Sequence, residues 1–390
     1  MQNAISVKVA CQWKFYAVLF VGLFSSHLLY SQQVQEVKKT PLDIKKVKVN
    51  PKNVQVSYKG EKAFYVKNSA KRDLEAVAIP DVEWTVQVAQ PGWYVIEAEA
   101  EPIDLEKLKK EDQTGRLTLK AKLQNAEQRP TYRIVYDNYR GGAQELGKFE
   151  IKTAKQSFKI WLPDNLVLKR LFIKPFVAPK PPADAEAYVP SVVPPKGHPR
   201  LWVNRETLPI IRQRLKDTAH TEAWTAVTAK AKLPFKFAFN KNKEIFYDEK
   251  LESAIEAKAF YYLMTEDQQV GKEAVQLTLD YLSVLEFGNI TYGDITREVG
   301  RSIYTASLVY DWCYGIMNAD NRKQLRGDLM RLATDMEMGW PPFYGIESIV
   351  NGHGNEAQIC RDMLSMSIAI YDEDPLPYKY TSYWVLDQLV

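Results

Sequence analysis

The segment PFVAPKPPADAEAYVPSVVPPKGHP, residues 175–199, separates two halves of the chain that follow different sequence periods. Eight of its 25 residues are proline. Proline fixes φ and lacks a backbone N–H, so the segment cannot continue a helix or a strand ladder. A proline-rich stretch of this kind is typically a semi-rigid spacer. We therefore place a domain boundary here, with a linker over residues 178–199.

Before the linker, apolar and polar residues alternate from about Val47 to Phe176. The clearest runs are Trp93–Ala98, Arg116–Lys120, Tyr132–Tyr136 and Ser157–Leu162. Many short, β-branched or aromatic runs separated by turn residues are typical of an antiparallel β-sandwich. We predict such a sandwich over residues 45–177. By analogy with other secreted proteins, it would be a carbohydrate-binding or spacer module.

After Arg200 the apolar residues recur at helical spacing, and short polar turns separate the helices. Asn204 is placed to cap the first helix, which carries Leu208, Ile211 and Leu215. The later predicted helices are Glu249–Thr265, Gln268–Phe287, Ile295–Gly315, Asp320–Met338, Gly354–Ile370 and Thr381–Val390. Because pairs of antiparallel helices recur about every forty residues, we predict an (α/α) toroid or solenoid over residues 200–390.

The N-terminus has the pattern of a secretory signal. Lys8 and Lys14 precede the apolar run Phe15–Tyr30, which is short for a membrane anchor. We expect residues 1–31 to be removed, and the mature protein to be secreted or periplasmic without a stable membrane span.

The charge composition argues against nucleic acid as a partner, because 52 basic residues nearly balance 48 acidic ones. Between Lys196 and Lys250, however, twelve Lys or Arg face six Asp or Glu. Such a local excess can attract a polyanion, although a charge run is more often a solvated face.

The segment Asn351-Gly352-His353-Gly354-Asn355-Glu356 is the strongest candidate for a functional site. Residues three apart share a helix face, so His353 and Glu356 can converge on one ligand. The amides of Asn351 and Asn355 can donate hydrogen bonds to the same group. Metal binding is not expected from this pair, since no other histidine stands at ligand spacing.

The loop before this segment carries aromatic residues that are candidates for sugar binding. Trp340 and Tyr344 stand in the predicted loop over 339–351, close to Pro341 and Pro342. Aromatic rings displayed on a loop can stack on sugars. The sequence is equally consistent with rings that pack against the protein and anchor the loop.

Three segments together resemble the heparinase II/III-like polysaccharide lyases, and heparinase II in particular. They are HPRLW (198–202), YDWCYG with NADNR (310–315 and 318–322), and NGHGNE with AQICRD (351–356 and 357–362). The resemblance covers about Gly197 to Val390, which is half of the chain. In that family an (α/α) toroid precedes large β-sheet domains, and the active site lies between them.

The resemblance implies β-elimination at a uronic acid of an acidic polysaccharide, with heparin or heparan sulfate favoured as the substrate. His353 matches the family histidine that contacts the uronate or transfers a proton, and Glu356 matches its companion acid. No cofactor is expected within this chain. The family tyrosine, a second histidine and a structural zinc site would fall beyond Val390, so we interpret the chain as an incomplete lyase.

Two other function classes remain open. A helical-toroid glycoside hydrolase would use paired carboxylates, and the candidates are Asp294, Glu298, Glu347 and Glu356. A secreted protein that binds glycans without cleaving them would keep the sandwich and the basic region but would need neither His353 nor Glu356. The oligomeric state is not indicated by the sequence.

Overall fold

A computed structural model describes residues 38–67, 70–111, 115–124, 130–136, 142–177, 183–237, 247–285, 295–335 and 356–388. Lys39–Val390 form one compact unit.

The first half of this unit is built of antiparallel strands. Their bounds are β1 Thr40–Pro41, β2 Val47–Val49, β3 Val54–Gln55, β4 Tyr65–Val66, β5 Val82–Gln87, β6 Gly92–Pro102, β7 Leu117–Leu123, β8 Thr131–Tyr136, β9 Gln144–Ile151, β10 Lys155–Trp161 and β11 Leu166–Pro175. One sheet has the order β1-β11-β6-β9, a second has the order β2-β5-β10-β7-β8, and β3 pairs with β4. The antiparallel sheets predicted for this region are confirmed.

The two large sheets share one hydrophobic core, which both supply with alternate residues. In β7, for example, Leu119 and Ala121 are fully buried, because successive side chains of a strand point to opposite faces. The rings of Phe149 on β9 and Phe158 on β10 meet edge to face, with 5.1 Å between their centroids. Since these strands belong to different sheets, this contact lies between the two layers of a β-sandwich.

The second half is helical. The described helices are α1 Leu105–Glu111 within the sandwich region, then α2 Ala183–Ala187, α3 Leu208–Arg214, α4 Thr221–Lys232, α5 Glu249–Thr265, α6 Gln268–Leu282, α7 Ile295–Trp312, α8 Ala319–Asp335, α9 Glu356–Ala369 and α10 Leu376–Ser382. A wider π-helical segment, Tyr383–Gln388, follows α10 directly. The prediction of a mixed protein with sheets and helices is confirmed, and closure into an (α/α) toroid stays a prediction.

Side-chain caps fix where the best-defined helices begin. The carboxylate of Asp248 accepts from the amide of Leu251 at 2.9 Å, at the start of α5. Asp267 does the same for Gln269 and Val270 at the start of α6. Each cap satisfies an amide that the first helical turn leaves without a partner. The bounds predicted for α5 therefore agree with the structure.

The proline-rich segment is packed against the helices over its described part, rather than standing free. Ala185 of α2 is fully buried in the main helical core. The hydroxyl of Tyr378 donates to the carbonyl of Val192 at 2.9 Å, and the ammonium of Lys379 donates to the carbonyl of Glu186. Residues 183–199 thus pack on the surface of the helical half, whereas a semi-rigid linker would stand apart from it.

Asn204 caps the helical turns that lead into α3, as predicted: its side chain accepts from the amides of Glu206 and Thr207 at 3.0 and 2.8 Å, and its carbonyl accepts from the amide of Leu208 at 2.9 Å. Two other predicted details need correction. The helix expected to reach Gly315 ends at Trp312, because a 3₁₀ turn follows over Tyr314–Ile316. The helix predicted from Thr381 begins earlier, at Leu376, with Pro377 in its first turn. Proline suits this position because it needs no amide partner there.

None of the helices in the described residues is long and apolar enough to cross a lipid bilayer.

Candidate functional site

Most of the residues predicted for the site lie outside the described part of the chain. This holds for Asn351, His353, Asn355, Trp340 and Tyr344. Glu356 is the first residue of α9, although its side chain lies outside the description. The geometry around α9 therefore defines what stands next to the predicted motif.

Helix α9 packs along α7, and α7 also packs against α5. Polar side chains from these three helices gather where the helices meet. We call this group the polar cluster, and its members are Glu252 and Glu256 of α5, Arg301, Ser302, Tyr304 and Thr305 of α7, and Arg361 and Asp362 of α9. Arg361 follows Glu356 by five residues, so the cluster lies on the first turns of the helix that the motif begins.

The exposed part of the polar cluster combines aromatic and cationic groups. The guanidinium carbon of Arg361 lies 4.3 Å from the ring centroid of Tyr304, which is a cation–π contact. The indole Nε1 of Trp202 donates to the hydroxyl of Tyr304 at 2.7 Å. Trp202 is 78% exposed, which is unusual for so large an apolar ring. This surface therefore offers a flat ring and a guanidinium side by side.

Tyr304 is protonated at neutral pH in this environment. Burial raises its pKa above the usual value, while the Trp202 hydrogen bond and the Arg361 charge act in the opposite direction. Because the Tyr304 oxygen accepts from Trp202, its own O–H is left to donate. Tyr304 is thus suited to hydrogen-bonding a ligand and poorly suited to removing a proton from one.

The carboxyl group of Asp362 is buried directly beneath this surface. Its side chain is inaccessible to solvent, and its Oδ1 accepts from Arg361 Nε at 2.7 Å. Burial raises the pKa of Asp362 to about 7, against the lowering influence of Arg361 and Arg301. Its Oδ2 has no hydrogen-bond partner among the described residues. A carboxyl in this state can hold a proton near neutral pH.

A second acidic side chain, Glu252, is buried on the other side of α7. Burial raises its pKa to about 7, and the charge of Glu256 adds to this effect. The hydroxyls of Ser302, Thr305 and Tyr281 lie close enough to oppose the shift. Even so, neither carboxyl oxygen makes a well-formed hydrogen bond with a described residue. Burial outweighs these hydroxyls, so Glu252 is a second proton-holding group.

Shared neighbours link the two acids. Thr305 donates to Glu256 at 2.7 Å, and the charges of Glu256, Arg361 and Asp362 all act on Tyr304. Arg301 acts both on Asp362 and, through a hydrogen bond, on Tyr247. The charged groups of the polar cluster are therefore electrostatically coupled. Its guanidinium groups are exposed, and its carboxyls that can hold a proton are buried beneath them.

A separate network joins two of the segments on which the family resemblance rests. The buried carboxylate of Asp311 accepts from His198 Nδ1 at 2.6 Å and from the amides of Arg200 and Leu201, each at 2.8 Å. The His198 ring stacks on Tyr314 at 3.9 Å. These contacts tie the HPRLW segment to the end of α7. The burial of His198, Arg200 and Asp311 indicates a structural role for these contacts, whereas Trp202 of the same segment is exposed.

Two aromatic residues of the YDWCYG segment, Tyr310 and Trp312, belong to the hydrophobic core. Tyr310 is fully buried, and Trp312 is partly buried against the same apolar cluster. Burial raises the pKa of Tyr310 above its usual range, with Glu373 acting in the same direction.

The sequence interpretation missed the buried acids of the polar cluster. Among the carboxylates considered there, Asp294 and Glu347 lie outside the described residues, and Glu298 is described in its backbone alone. A signal for Glu252 was available, since it stands between Leu251 and Ile255 within the apolar stripe of α5. Across the described residues, no group of three or more His, Cys, Asp or Glu is arranged to hold a metal ion. The structural zinc site that the family resemblance implies stays a prediction.

Comparisons with known proteins add little. No protein-family model matches this chain, and no curated protein matches its sequence. Among solved structures, a similarity is found to the GH26-CBM35 β-(1,4)-mannanase of Podospora anserina. It has 10% sequence identity and a TM-score of 0.25, over 86% of this chain and 83% of that one. Likeness at this level supports neither a fold nor an activity.

Proposed function

We propose that this chain belongs to a secreted enzyme that cleaves an acidic, uronate-containing polysaccharide by β-elimination. The observation that carries the proposal is the exposed arrangement of Trp202, Tyr304 and Arg361 beside the helix that begins at Glu356. The family resemblance of the motif at 351–356 supports the reaction type and favours heparin or heparan sulfate.

The chemistry of elimination explains why cationic groups are needed. The C5 proton of a uronate is barely acidic while the neighbouring carboxylate is charged, so the enzyme must neutralise that charge. Arg361 and Arg301 are both exposed at the polar cluster and can pair with a carboxylate or a sulfate. Guanidinium groups do this with two parallel hydrogen bonds. The apolar face of Trp202 can support the sugar ring.

The proton transfers are assigned to the motif. His353 or a partner base takes the C5 proton, the C4–O bond breaks, and a C4=C5 double bond forms. The leaving oxygen receives a proton from a group on its own side. Glu356 positions the histidine or donates a hydrogen bond to the uronate carboxylate. Asn351 and Asn355 donate hydrogen bonds to that carboxylate. Trp340 and Tyr344 extend the sugar-binding surface in this proposal.

The experiment is an assay of the intact protein on heparin, heparan sulfate, chondroitin sulfate, hyaluronan and alginate. Elimination produces an unsaturated uronate that absorbs in the ultraviolet, so growth of this absorbance on at least one polymer is the expected result. Arg361→Ala should weaken this activity, while Arg214→Ala, an exposed arginine of α3, should not. Product without the ultraviolet chromophore would contradict elimination.

A further inference from the structure

The outer face of the five-stranded sheet carries a row of basic side chains. Strand pairing places Lys48 of β2, Glu83 of β5, Lys159 of β10 and Lys122 of β7 side by side in this order. Their neighbours along each strand, such as Val82, Phe158 and Leu123, are buried in the sandwich core. Because side chains alternate, the row points away from the core.

Lys122 and Lys159 form a like-charge pair. They stand directly opposite each other on adjacent antiparallel strands, where Cβ atoms are roughly 5 Å apart. Within the described part of the chain, neither ammonium group has an ion-pair or hydrogen-bond partner. Although Glu83 is opposite Lys159, its carboxylate accepts from the Ser157 hydroxyl instead. Like charges in this position destabilise a sheet, so the pair has a cost in the free protein.

The opposite face of the sandwich is arranged differently. On the four-stranded sheet, Glu97 pairs with Lys174 at 2.6 Å and with Lys39 at 3.1 Å, and Glu101 pairs with Lys169. Its charges are thus mutually compensated. The named lysines of this sheet are thus paired with acids, whereas Lys122 and Lys159 of the five-stranded sheet are not.

A cavity adjoins the lysine row. The next row of the same face is Trp161, Lys120 and Tyr132, and Tyr132 lines an open cavity of about 500 Å³ together with Lys71, Arg72 and Glu75. Lys71 is exposed, and it too has no ion-pair or hydrogen-bond partner among the described residues. The Arg72 side chain is engaged with the buried Asp81. The lining also includes the acidic Asp73 and Glu75, so the cavity itself is not positive, and Lys71 alone adds an ammonium group next to the lysine row.

We infer that this face, defined by Lys48, Lys122, Lys159 and Lys71, binds a linear acidic polysaccharide. Carboxylates or sulfates of the chain would pair with the row of ammonium groups and relieve the repulsion between Lys122 and Lys159. The choice of a polysaccharide rests on the proposed function, and it also fits the surface. Tyr132 and Trp161 are buried, so neither offers an exposed ring on which the bases of a single-stranded nucleic acid could stack.

The test uses the full chain on a column of immobilised heparin, with the salt concentration at elution as the readout. Lys122→Thr with Lys159→Thr should elute at lower salt and bind soluble heparin about tenfold more weakly at low ionic strength. The control is Lys109→Ala with Lys110→Ala, two exposed lysines of α1, which makes the same change in net charge. The control should elute with the wild type. Co-elution of the strand variant with the wild type would overturn the inference.

Two further measurements separate this inference from its alternatives. The strand variant should be as stable as the wild type or more so, because a repulsive pair is removed; marked destabilisation would show that the lysines serve the fold instead. Duplex DNA that competes as well as heparin would overturn the choice of polysaccharide. Failure of the proposed cleavage would be seen as wild-type protein that binds heparin but forms no product, which leaves the binding face supported.

Discussion

The guanidinium group of Arg361 packs on the ring of Tyr304, 4.3 Å from its centroid, across the contact between α9 and α7. The contact holds a cation at the surface while Arg361 Nε also donates to the buried Asp362. The guanidinium is therefore fixed in orientation before any ligand arrives. Such preorganisation lowers the entropic cost of pairing with an anion.

Replacing Arg361 should weaken substrate binding. In Arg361→Ala we expect KM to rise about tenfold, which corresponds to ~1.4 kcal/mol of lost interaction with the substrate anion. Steady-state kinetics on the polymer that the wild type cleaves would measure this. Arg214→Ala controls for the loss of one positive charge. An unchanged KM in Arg361→Ala would remove this residue from the binding surface.

The exposed indole of Trp202 should contribute to substrate binding more through its ring than through its hydrogen bond to Tyr304. Trp202→Phe keeps an aromatic face and loses the bond to Tyr304, so we expect a smaller effect than in Trp202→Ala. Loss of a stacked ring costs ~0.5–1.5 kcal/mol, and Trp202→Ala should therefore bind up to about tenfold more weakly. Titration with a non-cleaved oligosaccharide would measure both variants. Equal affinity of Trp202→Ala and the wild type would argue against stacking.

The buried acids should make stability depend on pH. The pKa values of Glu252 and Asp362 are raised in the folded protein to about 7, so between about pH 5 and pH 7 the folded state binds more protons than the unfolded chain. The free energy of unfolding should be greatest below this range and should fall as pH rises through about 7.

Glu252→Gln tests this pH dependence. Glutamine keeps the shape of the side chain without a titrating group, so the variant should lose less stability than the wild type between about pH 5 and pH 8. Denaturant unfolding at both pH values would measure the difference. Glu249→Gln, an exposed position in the first turn of α5, should behave as the wild type. An equal fall in all three proteins would exclude Glu252 as the source.

Asp311 should be essential for stability rather than for chemistry. Asp311→Ala leaves the amides of Arg200 and Leu201 and the ring of His198 without their acceptor. Each buried group without a partner costs ~1–3 kcal/mol, so we expect roughly 3 kcal/mol or more of destabilisation in total. Thermal unfolding would measure it, with the exposed Asp217→Ala as the control. A variant as stable as the wild type would contradict the structural role given to this network.

Local sequence signals predicted the secondary structure well where caps and periodicity agree. The bounds of α5 follow from Asp248 as a cap and from the apolar spacing of Leu251, Ile255 and Ala259. The end of α7 was predicted three residues too late, because the 3₁₀ turn after Trp312 has no local marker in the sequence. The start of α10 was also missed, although Pro377 marks the first turn of a helix.

The polar cluster could not be predicted in the same way, because it depends on tertiary contacts. Glu252 becomes a buried acid only because α7 covers it with Ser302 and Thr305. Asp362 was read as part of a motif, and nothing local indicates that Arg361 would turn toward Tyr304. The linkage between His198 and Asp311 spans 113 residues, a separation that periodicity cannot bridge.

The central claim is that the segment beginning at Asn351 performs elimination on an acidic polysaccharide. Its most direct test is mass spectrometry of the products formed from heparin or heparan sulfate by the wild type and by His353→Ala. We predict fragments with an unsaturated uronate end, each one water lighter than the hydrolysis product, from the wild type only. The same fragments from His353→Ala at the wild-type rate would remove His353 from the mechanism, and hydrolytic fragments from the wild type would contradict the lyase assignment itself.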